Sequence, residues 1–375
     1  MEHNLLSSLK LNLCPDVLER LGDTDIFATC SYLLDTSNRE RAGTVGLTSA
    51  SSSARGVGSV SLTCEVSCDA VFDGRWAPDA ASSSTPLFCA ATAQAGISLF
   101  ALRDGELTSV STGVVGCDAK DDVRSSLSLL SVDWMSGSDN NNVTGVSLAT
   151  GLSDGRIWFG EVDDRGAHET QSFRAHSLGD TGAEVWTVAV CPHTRNVVWS
   201  GGDDAKLRAW DSRATCASPL FTSSVHKAGV TSITWCPLPG GEHLVATGGY
   251  DDHLLIWDDR VMGSGLRSLP LSDTLLGGGV WKVRWRPNRD EGTGAWANAI
   301  AVACMYDGVA ILDTKPLMHS GGPLPILTKY TQHESITYGV AWVPSPKGQC
   351  ASILSSSFYD HALHLWEVAG SDGEG

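Results

Sequence analysis

Three stretches of this chain repeat one pattern: GGDDAKLRAWDSR at Gly201–Arg213, GGYDDHLLIWDDR at Gly248–Arg260 and SSFYDHALHLWE at Ser356–Glu367. Each is a turn rich in Gly, Asp or Tyr, then an alternating run, then Trp and an acidic residue. A period-two run behind a tight turn is a strand entered from a hairpin. Ending that strand on Trp and an acid is the mark of one four-stranded propeller blade. A single blade cannot bury both faces, so the repeat points to an all-β, single closed domain built of stacked blades.

Laid out along the chain, the pattern gives seven blades. A degenerate first blade covers 11–66, with strands at Ile26–Leu34 and Ser59–Val66. Between them Ala42–Gly58 is rich in Ser, Gly and Ala and reads as a flexible surface loop. Blade two covers 69–110 and blade three 128–173, where Gly160 stands in the Trp position. Blade four covers 176–220, blade five 226–270, blade six 278–316 and blade seven 333–368. The Trp-type positions are Trp210, Trp257, Leu312 and Trp366, spaced wider than the usual ~40–45 residues, so the loops are long. Leu5–Leu21 comes nearest to a helix but contains Pro15, and reads at best as a short opening piece. Either the extreme N-terminus or the tail Gly370–Gly375 would close the ring.

Charge narrows the partners. With 26 Lys and Arg against 43 Asp and Glu, the formal net charge is −17. Nucleic acid and anionic membranes need a basic face, so neither is an expected partner. The eleven cysteines show no zinc-type pairing of C-x-x-C motifs, and most sit in strand patterns, where reduced thiols are common. No signal peptide and no apolar run of ~18 residues is present, so the expected home is the reducing cytoplasm. The sequon Asn142-Val143-Thr144 then carries no meaning.

His, Ser/Thr and Asp recur together in His176/Ser200/Asp204, His226/Thr247/Asp251 and His333/Ser356/Asp360. Repeated three times with a Trp six residues on, they fit a structural tetrad better than a catalytic triad, because buried polar groups must be paired. Outside the tetrads, aligning the first strand of each blade gives a column of Trp186, Thr231, Trp281 and Tyr338. The residue before each turn Asp is Asp203, Tyr250 or Tyr359, and the residue after it is Ala205, Asp252 or His361. In WD-repeat geometry these positions open on one face. One mouth would then hold Trp186, Trp281, Tyr338, Tyr250 and Tyr359 with Glu184, Asp203 and Asp252. Aromatic faces among carboxylates hold quaternary ammonium groups.

From 181 to 367, four strings resemble more than generic WD repeats: SGGDDAKLRAWDSR, ATGGYDDHLLIWDDR, GGVWKVRWRP and SSFYDHALHLWE. In this order they look like the WD-repeat family of the diphthamide pathway, the diphthine methylesterases. The likeness covers about half of the chain; the N-terminal blades share only the layout. The resemblance implies a carboxylic ester hydrolase acting on translation elongation factor two, whose modified histidine carries a trimethylammonium and a methyl ester. The sequence itself indicates no metal or organic cofactor.

Ester hydrolysis needs a base, a nucleophile or activated water, and donors for the oxyanion. There is no G-x-S-x-G elbow. His361 is the first choice of base and His253 the second, since both lie beside a turn Asp but outside the tetrads, and an imidazole titrates near neutral pH. Asp252 would orient or share that role. Cys304 is a possible nucleophile, though its strand position suits the core better, and His364 is expected to point away from the mouth. Two rival readings need no chemistry, the first at the same mouth and the second on a different face. One is a reader of trimethylated cations. The other is an interaction platform, because Trp210–Arg213 and Trp257–Arg260 fit W-D-x-R, the box by which WD-repeat receptors dock to a cullin–RING ligase adaptor.

Overall fold

A computed structural model describes residues 3–34, 41–53, 57–116, 127–135, 145–214, 218–262, 269–287, 296, 298–318, 321–344 and 350–369. The sequon and the tail 370–375 lie outside them. Seven four-stranded sheets form the blades of a β-propeller, six of them meandering in chain order from the inner strand outward. The first blade is Cys14–Arg20, Ile26–Leu34, Arg41–Ser52 and Gly58–Asp69. The second is Val71–Trp76, Leu87–Thr92, Gly96–Arg103 and Glu106–Val114, and the third Leu129–Trp134, Val146–Leu152, Arg156–Asp163 and Gly166–Arg174. The fourth is Thr187–Val190, Val197–Gly201, Leu207–Asp211 and Phe221–Ser223; the fifth Val230–Trp235, Leu244–Gly249, His253–Asp258 and Ser272–Leu275. The sixth is Lys282–Trp285, Ala299–Ala303, Val309–Asp313 and Ile326–Tyr330. By compactness the chain divides into two units, one of residues 1–27, 48–63 and 234–375, the other of 28–47 and 64–233. No helix among the described residues is long and apolar enough to cross a membrane.

The seventh blade is completed from the other end of the chain. Its three C-terminal strands are Thr337–Val343, Cys350–Ser357 and Ala362–Ala369, and the outer strand is His3–Lys10. That strand runs antiparallel to Ala362–Ala369, from His3 opposite Val368 to Lys10 opposite Ala362. The N-terminus is therefore a strand, not a helical piece, and an otherwise open sheet edge is paired. Leu11, Leu18, Phe27, Ala50, Val60, Leu354, Leu363 and Leu365 form one buried cluster between this blade and the first.

Two expectations change. Most of the stretch expected as a flexible loop is ordered: Arg41–Ser52 is a strand whose Gly43–Thr48 stretch is buried, while 54–56 lie outside the described residues. Its small residues serve close packing, since a Cβ on Gly43 would fall 2.3 Å from the Asp69 carbonyl oxygen. The outer strands of blades four to six lie beyond the ends expected at 220, 270 and 316. They are short, half solvated and set behind long loops, so their alternation is weak.

Inner-strand tryptophans staple neighbouring blades within each unit. Trp134 Nε1 donates to the Arg75 carbonyl at 3.1 Å, Trp285 Nε1 to Thr234 at 3.2 Å and Trp342 Nε1 to Arg284 at 2.9 Å. The third blade departs from the repeat at Gly160, where a Cβ would fall 2.2 Å from the buried Trp158 ring.

The His–Ser–Asp set of blade four is a structural network, and blades five and seven keep its Trp–hydroxyl bond. His333 Nδ1 and Asp360 Oδ1 have no hydrogen bond among the described residues. In blade four His176 Nδ1 meets Asp204 Oδ1 at 2.8 Å, His176 Nε2 meets Ser200 Oγ at 2.7 Å, and Trp210 Nε1 donates to the same Ser200 Oγ at 2.9 Å. Burial pushes His176 down, while Asp204, bonded to His176 and Arg208, is held at about 2 against the opposing effect of its own desolvation. In blade five Trp257 Nε1 donates to Thr247 Oγ1 at 2.8 Å. In blade seven the hydroxyl is Ser355, not Ser356. Ser355 Oγ meets His333 Nε2 at 2.7 Å and accepts from Trp366 Nε1 at 3.0 Å, whereas Ser356 Oγ accepts from the Gly339 N–H at 2.8 Å. The cross-strand partner of Ser200 is Arg208, but that of Ser355 is His364. The last turn thus holds one residue more, and counting back four from Asp360 lands on the wrong serine.

Replacing Ser355 with Ala leaves Trp366 Nε1 and His333 Nε2 buried without a partner. Urea denaturation of the variant should show a loss of about 1–3 kcal/mol. His333 gives a second expectation. Burial, aided by His364, lowers its pKa from 6.5 to about 3. The unfolded chain binds a proton there between those values and the native chain does not. Stability should be complete above pH 6.5 and fall as the pH drops toward 3. His333→Gln should flatten that slope in pH-dependent denaturation.

Candidate functional site

Of the residues that the tetrads leave over, Trp281, Tyr250, Tyr338, Tyr359 and His361 gather in the first unit, around the inner strand Cys14–Arg20. Side chains two apart on a strand share a face, so Cys14 and Asp16 point the same way, with Pro15 between them. Asp16 is 1% exposed, and its Oδ1 accepts from Trp281 Nε1 at 2.9 Å. Cys14 Sγ lies 3.3 Å from His361 Nε2. One tripeptide thus holds both an indole and an imidazole.

Trp281 heads a run of rings. Its centroid is 6.1 Å from Tyr250 and 4.7 Å from Tyr338. Tyr338 is 5.1 Å from Phe358, and Phe358 is 5.0 Å from Tyr359 at 89°. Phe358 is buried at the base, whereas Tyr359 is 69% exposed. Burial, then the Asp16 charge, pushes the Tyr338 hydroxyl up. Trp281 follows Gly278 and Gly279, where a Cβ would fall 2.3 Å from the Cys304 carbonyl oxygen and 2.7 Å from Met305 Sδ respectively. Glycine is needed there to bring the aromatic strand against the neighbouring turn.

Ala205, Asp252 and His361, the residues that follow the turn aspartates, all take a left-handed backbone, with φ of 58°, 66° and 57°. Such a conformation is uncommon outside Gly, though Asp and His tolerate it better than most residues. For His361 it is fixed from both sides: its N–H donates to the Phe358 carbonyl at 3.1 Å, and its carbonyl accepts from Leu11 N–H at 2.9 Å. Its Nδ1 has no hydrogen bond among the described residues.

The structure joins Trp281, Tyr250, Tyr338, Tyr359 and His361, and leaves His253 apart. His253 opens the third strand of blade five opposite Leu275, and its Nδ1 meets Asp273 Oδ1 at 2.5 Å. It faces a groove of about 790 Å³ lined also by Leu271, Leu275 and Ile326. Asp252 occupies the turn, its carbonyl accepting from Leu276 N–H at 2.9 Å. Trp186, Glu184 and Asp203 belong to the other unit, where Trp186 Nε1 is 3.5 Å from Asp203 Oδ1. Burial and then the Asp203 charge raise the Glu184 carboxyl. Cys304 is fully buried and its thiol is pushed to about 12 by burial, as befits a core residue. His364 accepts or donates a 2.8 Å bond with Tyr330 OH and stacks on His333 at 4.4 Å.

Three residues of this site are absent from the sequence reading. Tyr306, 83% exposed, stands before Asp307 as Tyr250 and Tyr359 stand before their turn aspartates; the same column identifies it. Cys14 and Asp16 carried no signal, because their partners lie hundreds of residues away. The two W-D-x-R arginines close on their own boxes. Arg213 bonds Asp211 at 2.9 and 2.7 Å, and Arg260 bonds Asp258 at 2.9 and 2.6 Å, all four on exposed guanidinium groups.

Residues 168–211 and 217–258 match the WD domain, G-beta repeat family. The chain is similar to the diphthine methyltransferase of Homo sapiens, 33% identical over 57% of this chain and 43% of the relative. It is similar to that of Mus musculus, 32% identical over 73% of this chain and 53% of the relative, and so spans about half the length of these two. The Schizosaccharomyces pombe protein of the same name is 27% identical over 92% of this chain and 91% of its own length. Among solved structures, a chain of a mitotic checkpoint complex aligns with TM-score 0.64 over 98% of this chain and 95% of its own; at 18% identity this likeness shows the fold alone.

Burial raises the Cys14 thiol, and Cys304 is more enclosed still. Neither should react with iodoacetamide in the native protein at neutral pH, and both should in urea. Peptide mapping by mass spectrometry checks this; labelling of native Cys14 would contradict it.

Proposed function

We propose that this chain hydrolyses the methyl ester of methylated diphthine on translation elongation factor two. The observation that carries the reading is the shared segment Cys14-Pro15-Asp16. It sets an imidazole beside a run of half-buried aromatic rings that ends at the exposed Tyr359, which suits a substrate with an ester next to a trimethylammonium. The similarity to proteins named diphthine methyltransferase supports the same modified residue. The reaction class proposed here, hydrolysis, differs from the class in that name.

In this mechanism the cationic group rests on Trp281 and the neighbouring tyrosines. His361 Nε2–H donates to the Cys14 sulfur, which leaves the Nδ1 lone pair as general base. Nδ1 takes a proton from water, the water oxygen attacks the ester carbonyl, and the C–OCH3 bond breaks. The proton passes from His361 to the departing methoxide, so methanol and a carboxylic acid leave. The acid ionises at neutral pH. Tyr338, kept protonated, is a donor for the oxyanion. Cys14 serves as a positioning residue, since its thiol is too basic and too enclosed to attack.

The test is mass spectrometry of elongation factor two bearing the methyl-ester intermediate, before and after incubation with the purified chain. Hydrolysis removes one CH2 in mass and releases methanol. His361→Ala should slow the reaction by ~10²–10⁴-fold, the range for a lost general base. Cys14→Ala should cost only about tenfold, the worth of one positioning bond. Stable binding without mass change would favour a reader or an interaction platform. A Cys14→Ala variant as inactive as His361→Ala would make Cys14 the nucleophile.

A further inference from the structure

We propose that Asp16 makes the aromatic face selective for charge, so that it takes a trimethylated or quaternary ammonium group and rejects a neutral group of the same shape. The proposal rests on the reading above for its ligand class, but its test does not depend on turnover.

The geometry starts from the rings. Trp281 and Tyr338 are in contact at 4.7 Å, so no trimethylammonium fits between them. A ligand must lie against their outward faces, with Tyr250 on one side and the exposed Tyr306 and Tyr359 on the rim. Aromatic faces of this kind bind a tert-butyl group by apolar contact as readily as they bind a cation by the ring quadrupole. What tips the balance is the local potential.

Asp16 supplies that potential. Its carboxylate is buried and accepts the indole N–H at 2.9 Å. A charge-assisted bond of this type shifts electron density into the ring. A buried charge is also screened less than an exposed one. The same charge adds to burial in raising the Tyr338 hydroxyl. Asp16 thus acts through Trp281 and does not itself touch the ligand: it is a positioning and polarising residue. A core requirement for an indole acceptor does not call for a charge, because the carbonyl oxygens facing Trp285 and Trp342 satisfy those indoles equally well.

The experiment titrates the full chain with choline and with its neutral isostere, in which a tert-butyl group replaces the trimethylammonium. Binding is followed by NMR at the Trp281 indole N–H, assigned by its loss in Trp281→Phe. The wild type should bind choline roughly tenfold more tightly than the isostere. Asp16→Asn keeps an acceptor for the indole but not the charge. It should lose most of that preference while binding the isostere as before, and Asp16→Glu should restore it. Equal binding of the two probes by the wild type overturns the proposal, and so does an Asp16→Asn variant that keeps the preference. Asp16→Ser replaces Asp16→Asn if the latter does not fold. Failure of ester hydrolysis would leave the comparison intact, since choline is not a substrate. Hydrolysis without choline preference would remove only the role of Asp16.

Discussion

Backbone pairing between His3–Lys10 and Ala362–Ala369 is the interaction on which the candidate site depends. An outer strand must be paired or it becomes an adhesive edge, and the seventh blade draws only three strands from the C-terminal part of the chain. The N-terminal strand fills the fourth place. From Lys10 the chain needs only a short link to enter the inner strand of the first blade, which begins at Cys14. On that link Leu11 N–H bonds the His361 carbonyl. Closure of the blade and placement of Cys14 and Asp16 are therefore one structural event.

The histidines differ in what their places in the repeat allow. His176 and His333 each carry a serine hydroxyl at one nitrogen and lie where burial lowers their pKa. A ring that resists protonation near neutrality is a poor general base but a good fixed link in a tetrad. His361 stands one residue past the turn Asp, outside the tetrad, with a thiol at Nε2 and no hydrogen bond at Nδ1 among the described residues. Location relative to the turn, not residue type, makes the difference. The same logic applies to the tryptophans. Trp257 and Trp366 donate into their own blades, whereas Trp281, from the head of an inner strand, donates to Asp16 and keeps its ring among tyrosines.

The all-β architecture was legible because the turn, the alternating run and the Trp recur in phase, and the tetrads because their spacing repeats. Ser355 was misread because one extra residue in the last turn shifts the count. The strand Arg41–Ser52 was misread because Gly, Ser and Ala are shared by mobile loops and by tightly packed strands. Aligning the blades singles out Tyr250, Trp281, Tyr338, Tyr359 and His361, and Tyr306 lies in the column of Tyr250 and Tyr359. Cys14 and Asp16 could not be found that way: the first blade is too degenerate to align, and their partners come from the far end of the chain. His253 was placed with His361 by analogy of position, but its strand carries it to Asp273 and the outer edge.

The central claim is that a water molecule, directed by His361, cleaves the acyl–oxygen bond of a methyl ester. Turnover of the esterified elongation factor in water enriched in heavy oxygen tests this directly. Hydrolysis by this route places one heavy oxygen atom in the product carboxylate and none in the methanol. Removal of the methyl by transfer to an acceptor would leave both carboxylate oxygens unlabelled, and that result would contradict the account.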